Sequence, residues 1–136
     1  MHFELVRQVS IALENQPGAL HRAVAELARR GVNIEGISVL DSIDQGVVRL
    51  CTSDPALTRE ALGSIGLKLI EADVFEIDLS DKPGRLADLC RALAVGGVNI
   101  DYAYGTSQGS SARTRMFVKA SPLERAKTLF TQLPPD

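Results

Sequence analysis

The stretch QPGALHRAVAELARRGVNI, Gln16 to Ile34, is written again 66 residues later as KPGRLADLCRALAVGGVNI, Lys82 to Ile100, with no gap between the copies. Pro17, Gly18, Leu20, Leu27, Ala28, Gly31, Val32, Asn33 and Ile34 recur as Pro83, Gly84, Leu86, Leu93, Ala94, Gly97, Val98, Asn99 and Ile100. A fixed internal period of this kind constrains the fold more than composition does. Each copy must be one supersecondary unit that folds the same way twice.

In the first copy, Val9, Ile11 and Leu13 alternate with Ser10 and Ala12, and Glu14 to Gly18 break the run. That pattern predicts a strand and a turn. Leu20, Ala23, Val24, Leu27 and Ala28 then fall on one helical face, and Arg29, Arg30 and Gly31 close the helix. Val32 to Leu40 and Val47 to Thr52 read as strands around a hairpin loop at Asp41 to Gln45, ended by Gly46. Ser53-Asp54-Pro55 supplies a cap and a first turn for a second helix. Leu57, Ala61, Leu62 and Ile65 form its inner face, and Gly66 stops it. Leu67 to Ala72 is a fourth strand.

The second copy repeats this order. Val74 to Leu79 is a strand that meets the preceding one near Asp73. Leu86, Leu89, Cys90, Leu93 and Ala94 mark the helical face, which puts Cys90 in the core. Val98 to Thr106 and Arg113 to Lys119 are strands around the loop SQGSSA. Ser121-Pro122 opens a helix with Leu123, Ala126, Phe130 and Leu133 inward. No fourth strand follows it. The fold class is therefore α+β: two ferredoxin-like βαββαβ units in tandem, antiparallel sheets with helices on one face, the second unit lacking its last strand. Right-handed crossovers give each unit the strand order 4-1-3-2. The expected domains are residues 1–72 and 73–136. Alone, a unit of this size buries only about 60% of its surface, so two units sharing one chain are better placed. The missing strand leaves Val74 to Leu79 with an open edge, which predicts pairing with a second copy in a homodimer.

Composition narrows the function. The net charge of −2 argues against a nucleic-acid groove, which wants a basic face. No run of about 18 apolar residues is present, so no membrane span is expected. The first residues lack a signal peptide's order, which makes the expected location cytoplasmic. Cys51 and Cys90, with His2 and His21, show no metal-ligand spacing and read as reduced, packed thiols. No cofactor and no metal are expected.

The repeated phrase carries the chemistry. Pro-Gly sits where a strand becomes a helix. Pro suits the first helical turn, and Gly lets another group approach the backbone there. The first N–H groups of a helix lack internal partners, and a carboxylate docks on them well. Asn33 and Asn99 begin the next strand and can donate and accept together. The same residues also serve purely as a helix start and a helix stop, and spacing does not choose between these readings.

The segments NQPGAL…RRGVNIEGISV and DKPGRL…VGGVNIDYAYG resemble the signature of ACT domains over nearly the whole chain. The chain is similar to small proteins made of two ACT domains. The resemblance implies the same fold, small-molecule binding (usually of amino acids), and pairing of domains side by side. It implies ligand contacts near the first loop and the start of the second strand. Those positions are Asn15, Gln16, Gly18, Ala19, Leu20, Asn33 and Ile34 in the first half. In the second they are Asp81, Lys82, Gly84, Arg85, Leu86, Asn99 and Ile100. The halves differ where specificity is set: Asn15, Gln16 and Ala19 are neutral, whereas Asp81, Lys82 and Arg85 are charged. Asp81 can accept from a ligand ammonium and Arg85 can grip a carboxylate. Lys82 and Arg85 also read as solvated surface charges.

The leading function is thus a non-catalytic amino-acid-binding regulatory or sensor protein, not an enzyme. A ligand-free module that regulates a partner enzyme or transporter is the alternative. An acylphosphatase-like hydrolase falls behind, because His21 has no nucleophile beside it and no phosphate loop is present. An RNA-binding sheet falls behind too: aromatic residues make up 4% of the chain, and Tyr102 and Tyr104 suit sheet packing.

Overall fold

The computed structural model describes residues 1–42 and 45–135. The chain runs β1 (His2–Glu14), α1 (Ala19–Arg29), β2 (Ile34–Asp41), β3 (Gln45–Thr52), α2 (Pro55–Ser64), β4 (Leu69–Ser80), α3 (Arg85–Val95), β5 (Asn99–Ser107), β6 (Arg113–Ser121) and α4 (Leu123–Gln132). One turn of 3-10 helix, Gly109–Ser111, lies in the loop before β6. The tip of the first hairpin, Ile43 and Asp44, is outside the described residues.

The chain divides into two units. The first is Arg7–Ala72. The second is Asp73–Asp136 together with Met1–Val6. The expected division at residue 72 therefore has one departure: the first six residues belong with the second half. The strands expected to meet near Asp73 are one continuous strand, β4.

In the first unit β3 pairs antiparallel with both β1 and β2, and the start of β4 lies beyond β1. Val9, Ile11, Val48 and Leu50 point from this sheet toward Ala23 and Leu27 of α1 and Ala61 and Leu62 of α2. Asp54 caps α2 by accepting from the Leu57 N–H at 3.0 Å, with Pro55 in the first turn.

In the second unit β6 pairs antiparallel with β4 and β5. The start of β1 takes the fourth place beside β4, so each unit has the order 4-1-3-2. The core holds Phe75, Ile77, Leu89, Leu93, Val118 and Phe130, with Met1 and Phe3 packed against it. The ring centroids of Phe3 lie 5.3 Å from Phe130 and 6.2 Å from Phe75.

Among the described residues no strand follows α4, as expected, but the place it would fill is occupied from within the chain. Phe75 to Ser80 pair with β6 on one side and β1 adjoins β4 on the other. Val74, Phe75, Ile77 and Leu79 are buried. The open edge on which pairing of this strand with a second copy was argued is absent.

Cys90 is the other departure. It is exposed, whereas Cys51 is buried. The inner face of α3 is narrow, centred on Leu89 and Leu93. Cys90 lies about 100° round the helix from Leu89, on the outer flank with Leu86 and Ala94. Apolar spacing marked a stripe wider than the sheet covers.

Candidate functional site

The first half of the repeated phrase builds a turn. The Ala19 N–H donates to the Gln16 carbonyl at 3.3 Å, and the Arg85 N–H to the Lys82 carbonyl at 3.2 Å. Gly18 has φ 90° and ψ −15°, and Gly84 has φ 93° and ψ −17°. These are the angles of the third residue of a type II turn, which needs Gly there and favours Pro before it. The helices begin only at Ala19 and Arg85. Pro17 and Pro83 therefore set the turn and not, as expected, the first helical turn. Open space surrounds Gly18 and Gly84 within 4 Å.

The second half of the phrase stops the helix. The Val32 N–H reaches back to the Leu27 carbonyl at 2.9 Å, and the Gly31 N–H to Ala28 at 3.0 Å. Val98 and Gly97 repeat this with Leu93 and Ala94, at 2.8 and 3.1 Å. This pair of bonds is the Schellman motif. The buried Val32 and Val98 supply its apolar contact with Leu27 and Leu93.

The two ends are far apart. Each intervening helix has 11 residues, about 16 Å at 1.5 Å per residue. Within a unit, Asn15, Gln16, Gly18, Ala19 and Leu20 stand at one end, and Asn33 and Ile34 at the other. Asp81, Lys82, Gly84, Arg85 and Leu86 are likewise separated from Asn99 and Ile100. One small ligand does not reach both sets within one unit. Ile34 and Ile100 pack against the cores.

Asn33 is engaged through its backbone and Asn99 through its side chain. Asn33 donates its N–H to the Ser53 hydroxyl at 3.0 Å and accepts from the Ser53 N–H at 2.9 Å. Asn99 donates from Nδ2 to the Asp101 carboxylate at 2.8 Å, where the Ser121 hydroxyl also donates at 2.9 Å. These bonds, Asn99 first, hold the Asp101 carboxyl below its ordinary range, with Lys119 adding to the effect. A depressed folded-state pKa stabilises the fold above the unfolded value and loses that contribution as pH falls through the folded one. The Asp101 carboxyl is therefore expected to titrate below the ordinary aspartate range, and Asp101→Asn to flatten the acid limb of stability. A midpoint at or above the ordinary value in an NMR titration would contradict this.

A cavity lies at the turn end of each unit. In the second unit a cavity of about 320 Å³ is lined by Asp81, Lys82, Arg85 and Leu86 from the turn and helix. Gly105, Thr106 and Ser107 of β5, with Leu79, Thr114 and Met116, complete it. Asp81 accepts from the Ser107 hydroxyl at 2.5 Å, and Arg85 lies 3.1 Å from Asp88. In the first unit a cavity of about 500 Å³ is lined by Gln16, Gly18, Ala19 and Arg22, with Ile65 and Leu67. There Arg22 donates to the Ile65 carbonyl at 2.8 Å.

Residue pattern missed Asp41 and Ser107. Asp41 accepts from Asn15 Nδ2 at 2.9 Å, as Asp81 accepts from Ser107. Both sit at the far end of the second strand, 26 residues from their partners, so spacing alone gave no signal. Among the described residues, no group of three or more His, Cys, Asp or Glu is placed to hold a metal ion. No helix there is long and apolar enough to cross a membrane.

The chain was compared with known proteins. A family model described as an ACT domain pair matches residues 4–131. The acetolactate synthase small subunit of Buchnera aphidicola subsp. Schizaphis graminum (strain Sg) is 32% identical over 90 residues, 66% of this chain. The match spans 48% of that relative's length. Among solved structures, protein BT0572 from Bacteroides thetaiotaomicron matches at 25% identity and TM-score 0.89, over 96% of this chain and 89% of that one. The ligand-free regulatory subunit of aspartate kinase from Thermus thermophilus shares the fold at 20% identity and TM-score 0.72, over 96% and 93% of the two chains.

Proposed function

We propose a ligand-sensing regulatory role for this chain, on the premise that it belongs to the ACT domain pair family. In this reading it is a non-catalytic, cytoplasmic protein that binds an amino acid and conveys its presence to a partner enzyme. The observation that carries the proposal is the cavity at the repeated turn of each unit, walled by polar and apolar residues together. Small-molecule sites have this mixed lining: apolar walls give affinity and a few polar groups fix orientation. The name of a relative supports the regulatory part, since it is a small subunit of acetolactate synthase.

The aromatic and basic residues of the second sheet support leaving nucleic acid out of the proposal. Tyr104 stacks on Phe117 with centroids 5.3 Å apart. Arg113, Arg115 and Lys119 face Asp78, Glu76 and Asp101 at 3.0, 3.9 and 3.5 Å. A base-stacking sheet needs free rings and unpaired cations.

A second reading, a module that acts through contact without a ligand, is favoured by β2. Among the described residues this strand pairs only with β3, and it exposes Ile37, Val39 and Leu40. The same edge supports a homodimer, for which sedimentation equilibrium is the test.

The two readings separate in a thermal-shift screen of the twenty amino acids. A ligand at 100 times its Kd adds about 2.7 kcal/mol to stability. At least one amino acid is expected to raise Tm by several degrees. No shift at millimolar concentrations from any of them would overturn ligand sensing and leave the contact module.

A further inference from the structure

The two copies of the turn are clasped to the second strand by the same positions with opposite chemistry. In the first unit the turn carries the amide, Asn15, and the strand end carries the carboxylate, Asp41. In the second unit the turn carries the carboxylate, Asp81, and the strand end carries the hydroxyl donor, Ser107. Two further positions change with the swap. Gln16 becomes Lys82, and Ala19 becomes Arg85. The second unit therefore brings one carboxylate and two cations to a single cavity.

The registers show how the second unit's cavity differs from the first unit's. Val39 stands opposite Val48, and Gly105 stands opposite Met116. A Cβ built on Gly105 would lie 2.5 Å from Met116 Sδ, so the thioether crosses the place where the first unit has a valine side chain. Val39 and Asp41 do not line the first unit's cavity, where Gln45, Ile65 and Leu67 stand beside the turn residues.

We propose that the second unit's cavity is a zwitterion site for an α-amino acid with an apolar side chain, and that Ser107 is the positioning residue for its ammonium acceptor. The inference rests on the ligand-sensing reading above. The ligand ammonium bonds to the Asp81 carboxylate, whose orientation Ser107 fixes. The ligand carboxylate takes Arg85, which it draws from Asp88. Leu79, Leu86 and Met116 receive the side chain. The thioether adapts to its shape. A volume of about 320 Å³ lies at the small end of ligand cavities.

The test is calorimetry with L-leucine, L-isoleucine, L-valine and L-methionine, taking the tightest binder forward. Arg85→Gln should weaken binding about tenfold or more, the effect of one lost charge-assisted hydrogen bond, and Ser107→Ala should weaken it too, by releasing Asp81 from its held orientation. Ser107→Thr should restore it. Asp88→Asn should tighten binding, because it frees Arg85; a merely structural role for Arg85 predicts no gain. Asn15→Ala and Asp41→Ala should leave affinity unchanged. For leucine, the analogues isoamylamine and 4-methylpentanoate, each lacking one charge, should bind far more weakly. The proposal is overturned if Ser107→Ala is silent, if the first-unit variants cause the same loss, or if either analogue binds as well. It is also overturned if none of the four amino acids binds. A polar amino acid found in the wider screen would then leave ligand sensing standing, and no hit at all would remove both.

Discussion

Deleting Met1–Val6 is expected to unfold the second unit while the first keeps its structure. Those residues fill the fourth strand position beside β4 and pack Met1 and Phe3 on the second core. Removing them strips a strand from an apolar sheet and exposes Phe75 and Phe130, whose rings lie 4.4 Å apart. Unpaired buried backbone groups and lost aromatic burial act together here. A small domain has roughly 5–15 kcal/mol of stability in all, and this loss is of that order. The milder Phe3→Ala should cost about 2–3 kcal/mol, below the usual range for a buried Phe because the ring is half-exposed. Amide exchange reads the result. Protection at Ile77, Leu79 and Val118 should collapse, and protection at Val48 and Leu50 should persist. Equal loss in both sets, or none in either, would mean that the first six residues do not complete the second unit.

That role is hard to see in the sequence. The first strand reads as one run from Phe3 to Leu13, and its alternation does not say where one sheet ends. Nothing local marks Val6 and Arg7 as belonging to different units, because strand pairing is a long-range property. The repeat, by contrast, is punctuated by local chemistry and is therefore legible. Gly18 and Gly84 sit at positive φ, and Gly31 and Gly97 close Schellman motifs. Those signals placed α1 and α3 to within a residue or two. The same clarity misled at Pro17 and Pro83, where Pro favours a helix start and a type II turn alike.

The candidate site was legible in half. Asp81, Lys82, Arg85 and Leu86 line one cavity, and adjacency in sequence suffices to find them. Asn33 and Asn99 stand about 16 Å away by helix rise. Asp41 and Ser107 join the turns through hairpin register, which no periodicity displays. Cys90 shows the limit of helical periodicity: Leu86 and Val95 also remain 48% and 84% exposed, so the apolar stripe of α3 exceeds its buried face.

The sharpest difference between the copies is a single glycine, and Gly105→Val should have the second large effect. Its counterpart Val39 is tolerated at the edge of the first sheet, 54% exposed. At Gly105 an added Cβ would lie 2.3 Å from the Arg115 carbonyl oxygen and 3.0 Å from Met116 Cα, as well as against the Met116 sulfur. A flexible thioether swings away at little cost, but a carbonyl held in the β5–β6 ladder does not. Overpacking of this kind costs about 1–3 kcal/mol and more where backbone must move, so a loss of about 3 kcal/mol is expected. The strain should concentrate in β5, the outer strand of its unit, which among the described residues has β6 as its only neighbouring strand. Urea midpoints give the magnitude, and amide exchange should show Ala103 and Thr106 opening before Ile77. The companion Met116→Val reproduces the valine pair of the first unit and distinguishes the two obstacles. If the sulfur dominates, the double variant recovers most of the loss. The expected outcome is a partial recovery, because the Arg115 carbonyl is still in the way. Full recovery would show that the β5–β6 backbone has the slack to accept a side chain at position 105, and that the glycine is needed by the cavity alone.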